Sequence, residues 1–386
     1  MSQRITFTQM STNVSQHLFD NYAKLDKTQQ QLASGRRLNR PSDDPVGVAT
    51  ALQLRTNLGQ IKQYERNIDD GLSYLATVDS VLQGGDELFQ HLRDKAIQGS
   101  NDTLNSSNRK DIWHEARVVF DQMVSMANTT FKGEFIFSGT QTHTAPYEVR
   151  TGREAITNQL TGFTIGTSIQ MTDLNIINAS TATGIPNAEK VIPGSLTITG
   201  FTEGTDYTVD YNLGTITFIA PGAAALAQAG GAGIDIGYEW LRRTEADIDN
   251  TISREIGENT KARINTTVND AYGSPNENSA WDAMITLMEG LHLNSGSKIR
   301  ESINKIDESL DRHLGAQSTN GSRVNQLEAT KDRAATTTIS LTDLQSKIED
   351  VDFTEAITQM NMQQTVYNAS LQVAARSIQS TLMNFL

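Results

Sequence analysis

The side chains that could perform chemistry are few and widely spaced. The chain has six histidines and no cysteine, which excludes disulfides, thiolate metal sites and a cysteine nucleophile. His114-Glu115 lacks the second histidine of a HExxH zinc motif, and no GxSxG, GxxxxGK[ST] or GxGxxG motif is present. Gly230-Gly231-Ala232-Gly233 has no phosphate-binding lysine beside it. The sequence therefore predicts no enzyme, no metal site and no cofactor.

One pair of carboxylates remains as a candidate for acid–base chemistry, in a run of six residues rich in proline. Asp44 is suited to be the N-cap of a helix whose first residue is Pro45, where the missing N–H costs nothing. Ser42 or Asp43 could cap instead. A capping role explains the pair with fewer assumptions than catalysis. We predict a helix-cap and junction loop made of Arg40, Pro41, Ser42, Asp43, Asp44 and Pro45.

Composition excludes several classes of partner. With 386 residues, 37% hydrophobic, the chain can bury cores and is long enough for about two or three domains. Its formal net charge of −13 repels the phosphates of nucleic acid and of anionic membranes, so we expect no nucleic-acid partner. No run approaches 18 apolar residues, and the first residues lack the apolar core of a signal peptide. We expect neither membrane insertion nor a cleaved signal peptide.

Proline and glycine divide the chain into helical flanks and a β-rich centre. Prolines are absent from 1–40, from 46–145 and after 275, whereas 13 of the 28 glycines fall between 145 and 240. Apolar and polar residues alternate through 195–219, which favours strands, with a short turn at 212–214. A similar pattern covers 163–171, and 222–233 is typical of a loop. The fold class predicted is mostly α with an inserted β-rich domain.

Two long helices are predicted before the centre. Leucines and isoleucines from Leu54 to Leu82 follow a heptad-like spacing, so one helix should run from 45 to about 98. Gly84-Gly85 is expected to weaken it locally. A second helix is expected from about 106 to 130.

The two chain ends carry matching apolar stripes. The last stripe is spaced 4-3-4-3, and 353–386 contains only Glu355 and Arg376 as charges, so this helix should be buried on more than one side. Both ends could be ordinary amphipathic helices on a globular core. Alternatively, they pair as a coiled coil, parallel or antiparallel, with each other and with neighbouring copies, which we favour. The predicted interface residues are Leu18, Tyr22, Leu25, Leu32, Phe353, Ile357, Met360, Tyr367, Leu371, Ala374, Ile378, Leu382 and Phe385.

These segments resemble the flagellin superfamily of bacteria. The resemblance lies in Arg4-Ile5-Thr6 with Met10, in the stretch from Gln31 to Pro45, in Phe135 to Thr140 and in Ser380 to Leu386. It covers about 1–145 and 275–386. The Arg-Pro-Ser-Asp-Asp-Pro run resembles the corresponding sequence in the superfamily members that join hook to filament. It is less similar to the sequence that filament subunits have at this position.

The resemblance implies a domain plan and a mechanical role. Residues 1–40 with 350–386 would form a terminal coiled-coil core that orders on assembly. Residues 41–144 with 241–349 would form a helical rod, and 145–240 an outer β-rich domain. The implied function is a structural adapter between hook and filament, secreted through the flagellar type III export channel to the extracellular flagellum. Implied partners are copies of itself, a neighbouring hook-associated protein, flagellin, and an export chaperone on the C-terminal helix.

Two other functions stay open. A filament-forming flagellin would share the same terminal helices. A surface protein that binds a glycan or a host through 145–240 belongs to a different class and would not need those helices.

Overall fold

The computed structural model describes residues 7–156, 168–172, 175–178, 189–211, 215–219, 234–243, 246–274 and 278–383. The chain divides into two compact units, one of 1–66 with 331–386 and the other of 67–330. The fold is helical at both ends with antiparallel sheets inserted in the middle, as predicted.

The helices are α1 (Phe7–Ser34), α2 (Pro45–Gly99), α3 (Ser106–Ala127), α4 (Val268–Tyr272), α5 (Ala280–His292), α6 (Gly296–Glu349) and α7 (Phe353–Met383). At 55 residues, α2 is about 80 Å long at 1.5 Å per residue. Its start at Pro45 and its end at Gly99 confirm the prediction. Helix α3 ends at Ala127, a few residues before the predicted 130, because Thr130 and Phe131 pair as a strand.

The expected weak point at Gly84-Gly85 is not found, since α2 is continuous through both glycines. A Cβ built on Gly84 would lie 2.7 Å from Met126 Cε, and one built on Gly85 would lie 2.4 Å from His313 Nε2. These glycines therefore allow α3 and α6 to approach α2 closely. The sequence pattern shows the glycines but not the helices that pack against them.

The strands are β1 (Thr130–Phe131), β2 (Glu134–Phe135), β3 (Tyr147–Ile156), β4 (Ser168–Thr172), β5 (Asn175–Asn178), β6 (Glu189–Val191), β7 (Thr197–Ile198), β8 (Tyr207–Asp210), β9 (Thr215–Phe218), β10 (Ile234–Arg243), β11 (Ser253–Gly257) and β12 (Thr260–Arg263). One sheet has the order β3-β10-β6, with β7 also on β10, and another has the order β5-β4-β9-β8. The described strands of these two sheets pair antiparallel with one another, and β8 and β9 pair from Tyr207↔Phe218 to Asp210↔Thr215.

The strands predicted within 195–219 are confirmed at β7, β8 and β9, and part of the 163–171 pattern is confirmed at β4. The predicted turn at 212–214, the loop at 222–233 and residues 163 and 165 lie outside the described residues. Within 241–349, β11 and β12 form a hairpin that precedes the helices from α4 onwards.

The core of the 67–330 unit is built around aromatic side chains. Trp281 lies 4.6 Å from the ring of Tyr147 and stacks on Tyr272 at 5.6 Å. Phe120 approaches the same indole edge-on at 5.7 Å. Such large, fully enclosed side chains contribute most of the burial that stabilises a domain. Unit 67–330 is therefore a well-packed body with a core of its own.

Candidate functional site

The two terminal helices pair with each other in antiparallel fashion. Asn21 Nδ2 donates to Ser370 Oγ at 2.8 Å, and Thr28 Oγ1 donates to Gln363 Oε1 at 2.7 Å. The rings of Tyr22 and Tyr367 lie 5.8 Å apart. Since higher numbers in α1 meet lower numbers in α7, the pair is antiparallel, which decides between the two orientations left open by the sequence.

The seam between α1 and α7 takes up part of the predicted stripe. Leu25 is buried, and Leu18 and Leu32 are half-buried. The residues of α7 turned towards α1 recur at 4-3-4-3-4 spacing, as in a coiled coil. They are Ala356, Met360, Gln363, Tyr367, Ser370 and Ala374, all buried or half-buried.

The other apolar residues of the predicted stripe lie beside the seam and face outwards. Phe353 is 54% exposed, Ile357 46% and Leu371 41%. We call these three residues the first flank. Tyr22 on α1 is also 54% exposed despite its ring contact. Ile378 and Leu382 belong to α7 but their side chains lie outside the described residues, as does Phe385.

A second row of apolar residues on α7 was missed by the sequence reasoning. Met362, Val366 and Val373 are 61%, 45% and 60% exposed on the opposite side of the seam, and we call them the second flank. Their spacing with Ala369, 362-366-369-373, is itself a 4-3-4 signal. Large apolar side chains therefore remain exposed on both sides of the seam, and burial of α7 on more than one side stays a prediction.

The loop between α1 and α2 holds the pair to the long helices of its own unit. Asp44 caps α2 by accepting a hydrogen bond from the Gly47 N–H at 2.9 Å, which confirms the predicted cap. Asp43 Oδ2 accepts from the backbone N–H groups of Asn39 and Arg40, at 3.3 and 3.0 Å. Of the remaining loop residues, Arg40 donates to Gln30 at 3.3 Å, while Pro41, Ser42 and Pro45 are exposed.

One ion pair holds this loop to α1, and a second ion pair joins the neighbouring ends of α2 and α6. The Lys27 ammonium lies 3.0 Å from Asp43 Oδ1, and its hydrogen bond is the main reason that the pKa of Asp43 is below its usual value. Arg55 Nη2 donates to Glu349 Oε2 at 2.6 Å. Burial raises the pKa of Glu349, but the hydrogen bonds from Arg55 and Gln345 outweigh that effect and leave it lowered.

Backbone hydrogen bonds complete the same junction. The Arg37 N–H donates to the Glu349 carbonyl at 2.7 Å, and the Val351 N–H donates to the Gly35 carbonyl at 3.1 Å. Gly35 has a φ of +69°, a conformation that glycine adopts without strain. These bonds bring the end of α1 and the start of α7 side by side.

The arrangement offers packing surfaces rather than reactive groups. Asp43 and Asp44 both take part in capping the loop and in ion pairs, with Lys27 and Arg37 respectively. Within the described ranges, no three His, Cys, Asp or Glu side chains are grouped so that they could hold a metal ion. Among the described helices, none combines the length and hydropathy of a membrane-spanning segment.

Paired terminal helices with uncovered apolar flanks, joined to long helices and an inserted β region, define a structural subunit. The model of the bacterial flagellin N-terminal helical region matches residues 5–142, and that of the C-terminal helical region matches residues 303–386. The chain belongs to the bacterial flagellin family, whose members are structural proteins of the bacterial flagellum. It is therefore a flagellar protein that interacts with other flagellar components.

Relatives of two kinds are found. The chain is 22% identical to a flagellin of Clostridium tyrobutyricum over 96% of its own length and 98% of that protein. It is 30% identical to flagellar hook-associated protein 3 of Escherichia coli over 135 residues, 35% of this chain and 43% of that one. The corresponding protein of Salmonella typhimurium is 26% identical over 192 residues, 48% of this chain and 60% of its own.

A solved structure of a flagellar hook-associated protein from Vibrio parahaemolyticus has a similar fold. Its TM-score is 0.52 at 16% identity, and the match covers 80% of this chain and all of that one. At this identity the likeness establishes the fold alone.

Proposed function

We propose that the chain is the structural adapter that joins the flagellar hook to the filament. The observation that carries the proposal is the presence of apolar flanks on both sides of the α1–α7 pair, which need neighbours to cover them. Copies of the chain would stack side by side into a ring or helical layer, the geometry expected of heterologous contacts. The likeness to relatives named hook-associated protein 3 favours the adapter.

The proposal extends to the partners at each end of such a layer. A neighbouring hook-associated protein would contact one face and flagellin the other, and the exposed part of the 40–45 loop, above all Pro41 and Ser42, would add a contact between adjacent copies. Covering the flanks contributes roughly 25 cal/mol per Å² of apolar surface removed from water, less the cost of ordering the helices. The role is mechanical and requires no enzymatic step.

Before assembly the flanks need protection, which bears on export. We propose that the chain leaves the cell through the flagellar type III channel, and that an export chaperone covers α7 on the way. The absence of cysteine from all 386 residues suits a chain that is threaded unfolded, because no disulfide can form and block it.

Polymer behaviour of the purified protein tests the adapter function. We expect the isolated chain to form short polymers or none. When flagellin is added to hooks that carry the chain at their end, filaments should grow from that end. Long filaments from the chain alone would contradict it and favour a filament flagellin, the second candidate. The specific observation in favour of flagellin is the end-to-end alignment with the Clostridium protein.

Substitutions on the second flank test the assembly surface itself. Val366→Ser with Val373→Ser should leave the monomer folded, since substitutions at exposed positions usually change stability by less than about 0.5 kcal/mol, but should abolish incorporation at the hook end. Val118→Ser is the matched control, because Val118 is 56% exposed on α3, close to the 60% of Val373. Normal incorporation of the double variant would rule out this flank as an interface.

A further inference from the structure

A pocket in the 67–330 unit, which we call the arginine pocket, lies between the segment before α4 and one face of α6. It has a volume of about 310 Å³. Its walls include Thr266, Asp270, Arg312, Gly315, Thr319 and Arg323. In α6 the spacing 312-315-319-323 places these residues on a single helix face, so two guanidinium groups frame a stretch of small side chains.

The hydrogen bonds that hold each arginine in place go to neutral groups, while the Asp270 carboxylate attracts Arg323 electrostatically. Arg323 Nη1 donates to the Asn265 carbonyl at 2.8 Å and to Thr266 Oγ1 at 3.3 Å. Arg312 Nη1 donates to the Asn278 carbonyl at 2.6 Å. Among the described residues, neither arginine forms an ion pair. Both guanidinium groups are thus fixed at one side and retain further N–H donors.

The single carboxylate in the pocket wall is already engaged. Asp270 is paired with Arg263 and also accepts the Thr267 N–H at 3.0 Å as part of a capping box. Burial lowers the pKa of Arg323, repulsion from Arg263 lowers it further, and attraction to Asp270 offsets part of that lowering. Positive charge therefore exceeds negative charge here, in a chain whose formal net charge is −13.

Gly315 lines the pocket, and Gly273 lies against Arg312 beside it. A Cβ on Gly315 would meet nothing within 4 Å, so the floor borders open space. A Cβ on Gly273, which has a φ of +89°, would lie 2.6 Å from Arg312 Nη1, so only glycine lets this guanidinium take its place.

We propose that the arginine pocket binds an oxyanion, a carboxylate or a phosphate, between the guanidinium groups of Arg312 and Arg323. Guanidinium groups present paired N–H donors that match two oxygens of such an anion, and charge-assisted hydrogen bonds of this kind are the strong ones. The bound anion would also offset the repulsion between Arg323 and Arg263. The source is either a free anion or an Asp or Glu side chain of another copy, since both present the same chemistry.

Side-chain NMR of the full-length protein labelled with ¹⁵N-arginine tests the site, with glutarate and inorganic phosphate as probes. The Nε–H signals of Arg312 and Arg323 should shift and reach saturation as the anion is added. In Arg323→Gln, the anion affinity measured from the Arg312 signal should be at least tenfold weaker. The proposal would be overturned if the chemical shifts changed linearly with anion concentration and if the exposed Arg300 showed changes of the same size.

A variant that leaves both arginines untouched guards against a folding artefact. Gly315→Leu should fill the pocket from its floor and weaken binding at least tenfold. Gly321→Leu is the matched control, because Gly321 is also on α6 with nothing within 4 Å of its Cβ and does not line the pocket. Equal affinity in Gly315→Leu and the wild type would overturn the proposal even if Arg323→Gln failed to fold.

The source of the anion is decided by sedimentation without added small anions. If Gly315→Leu weakens association between copies and Gly321→Leu does not, the occupant is an acidic side chain of another copy. If neither changes association while the NMR binding holds, the occupant is a free anion. Both results support the pocket as an oxyanion site.

Discussion

At the scale of single residues, Gly85 holds two long helices in close contact by lacking a side chain. The His313 ring is fully buried, and its Nδ1 and Nε2 lie 3.1 Å from the carbonyl oxygens of Ala271 and Leu82. Helix propensity alone says that alanine at position 85 would stabilise α2 by about 1 kcal/mol. The new Cβ would instead lie 2.4 Å from His313 Nε2, so Gly85→Ala should cost about 1–3 kcal/mol through overpacking.

The matched control lies on the same helix. Gly59 has nothing within 4 Å of its Cβ, so Gly59→Ala should stabilise the chain by up to about 1 kcal/mol. The measurement is urea unfolding of both variants beside the wild type. Equal signs for the two substitutions would show that His313 has room to move and that the packing argument is wrong.

Glu349 gives the junction a defined pH dependence. Its pKa in the folded chain is lower than in the unfolded chain, where it is about 4.5, because Arg55 and Gln345 stabilise the charged form more than burial destabilises it. The stability it contributes is therefore present above about pH 4.5 and is lost as the pH falls through the lowered value. Glu349→Gln should cost about 1 kcal/mol at pH 7, a figure kept small because Arg55 is 44% exposed.

Hydrogen exchange at the Arg37 and Val351 amides, measured from pH 7 down to pH 3, reports the opening of this junction. When the pH is lowered below 4.5, protection of these amides should decrease in the wild type. The decrease should be smaller in Glu349→Gln. Asp343→Asn serves as the control, because Asp343 and its partner Lys347 are both more than 60% exposed on the same helix. An equal acid response in Glu349→Gln and the wild type would count against the assignment.

At the scale of elements, the α1–α7 seam has polar pairs where a coiled coil usually has apolar ones. Thr28 is buried and donates to Gln363. Such buried polar pairs fix register at some cost in stability. We predict that Thr28→Val with Gln363→Leu allows the helices to slide by a heptad.

The absence of native cysteine makes register easy to measure. Asn21→Cys with Ser370→Cys reports the observed register, and Val14→Cys with Ser370→Cys reports a shift of one heptad. Only the first pair should crosslink in a chain with native Thr28 and Gln363, and both should crosslink in a chain that also carries Thr28→Val and Gln363→Leu. If the second pair stays reduced in that chain, register is set elsewhere.

The same helices show how far sequence reasoning extends. The start of α2 was predictable because Asp44 and Pro45 act locally, through a cap and a fixed φ. The seam of α7 was not, because apolar residues occupy three neighbouring rows. The row that faces α1 mixes three small residues with the larger Met360, Gln363 and Tyr367, while other large apolar side chains are left outside. Hydropathy alone therefore does not identify the contact row.

At the scale of the whole molecule, features built from distant residues escaped prediction. In one sheet β10 pairs with β3, about 90 residues earlier in the chain, and with β6, about 50 residues earlier. The arginine pocket unites 266–270 with 312–323. Neither leaves a local periodicity in the sequence. The chain ends, by contrast, were recognisable because each carries an apolar pattern along a single helix.

Chymotrypsin cleavage of the purified chain tests whether those ends wait for neighbours. Phe19, Tyr22 and Phe353 are 69%, 54% and 54% exposed, whereas the 67–330 unit encloses fully buried aromatic residues: Phe89, Phe120, Phe137, Tyr211 and Tyr272. Because α1 and α7 bury few side chains, the pair should open locally at little cost in free energy. We expect rapid loss of about 1–40 and 350–386 and a resistant fragment between them.

Assembly should reverse that sensitivity. Chain incorporated between hook and filament, digested with the same protease at the same concentration, should keep both ends at least tenfold longer, because neighbours would cover the two flanks and hold the pair closed. The Val366→Ser/Val373→Ser variant supplies the control, since it should be cleaved like the free chain in either mixture. If the ends of the free wild-type chain resist cleavage as long as the 67–330 unit does, the helix pair is stable without neighbours. The uncovered flanks would then need another explanation.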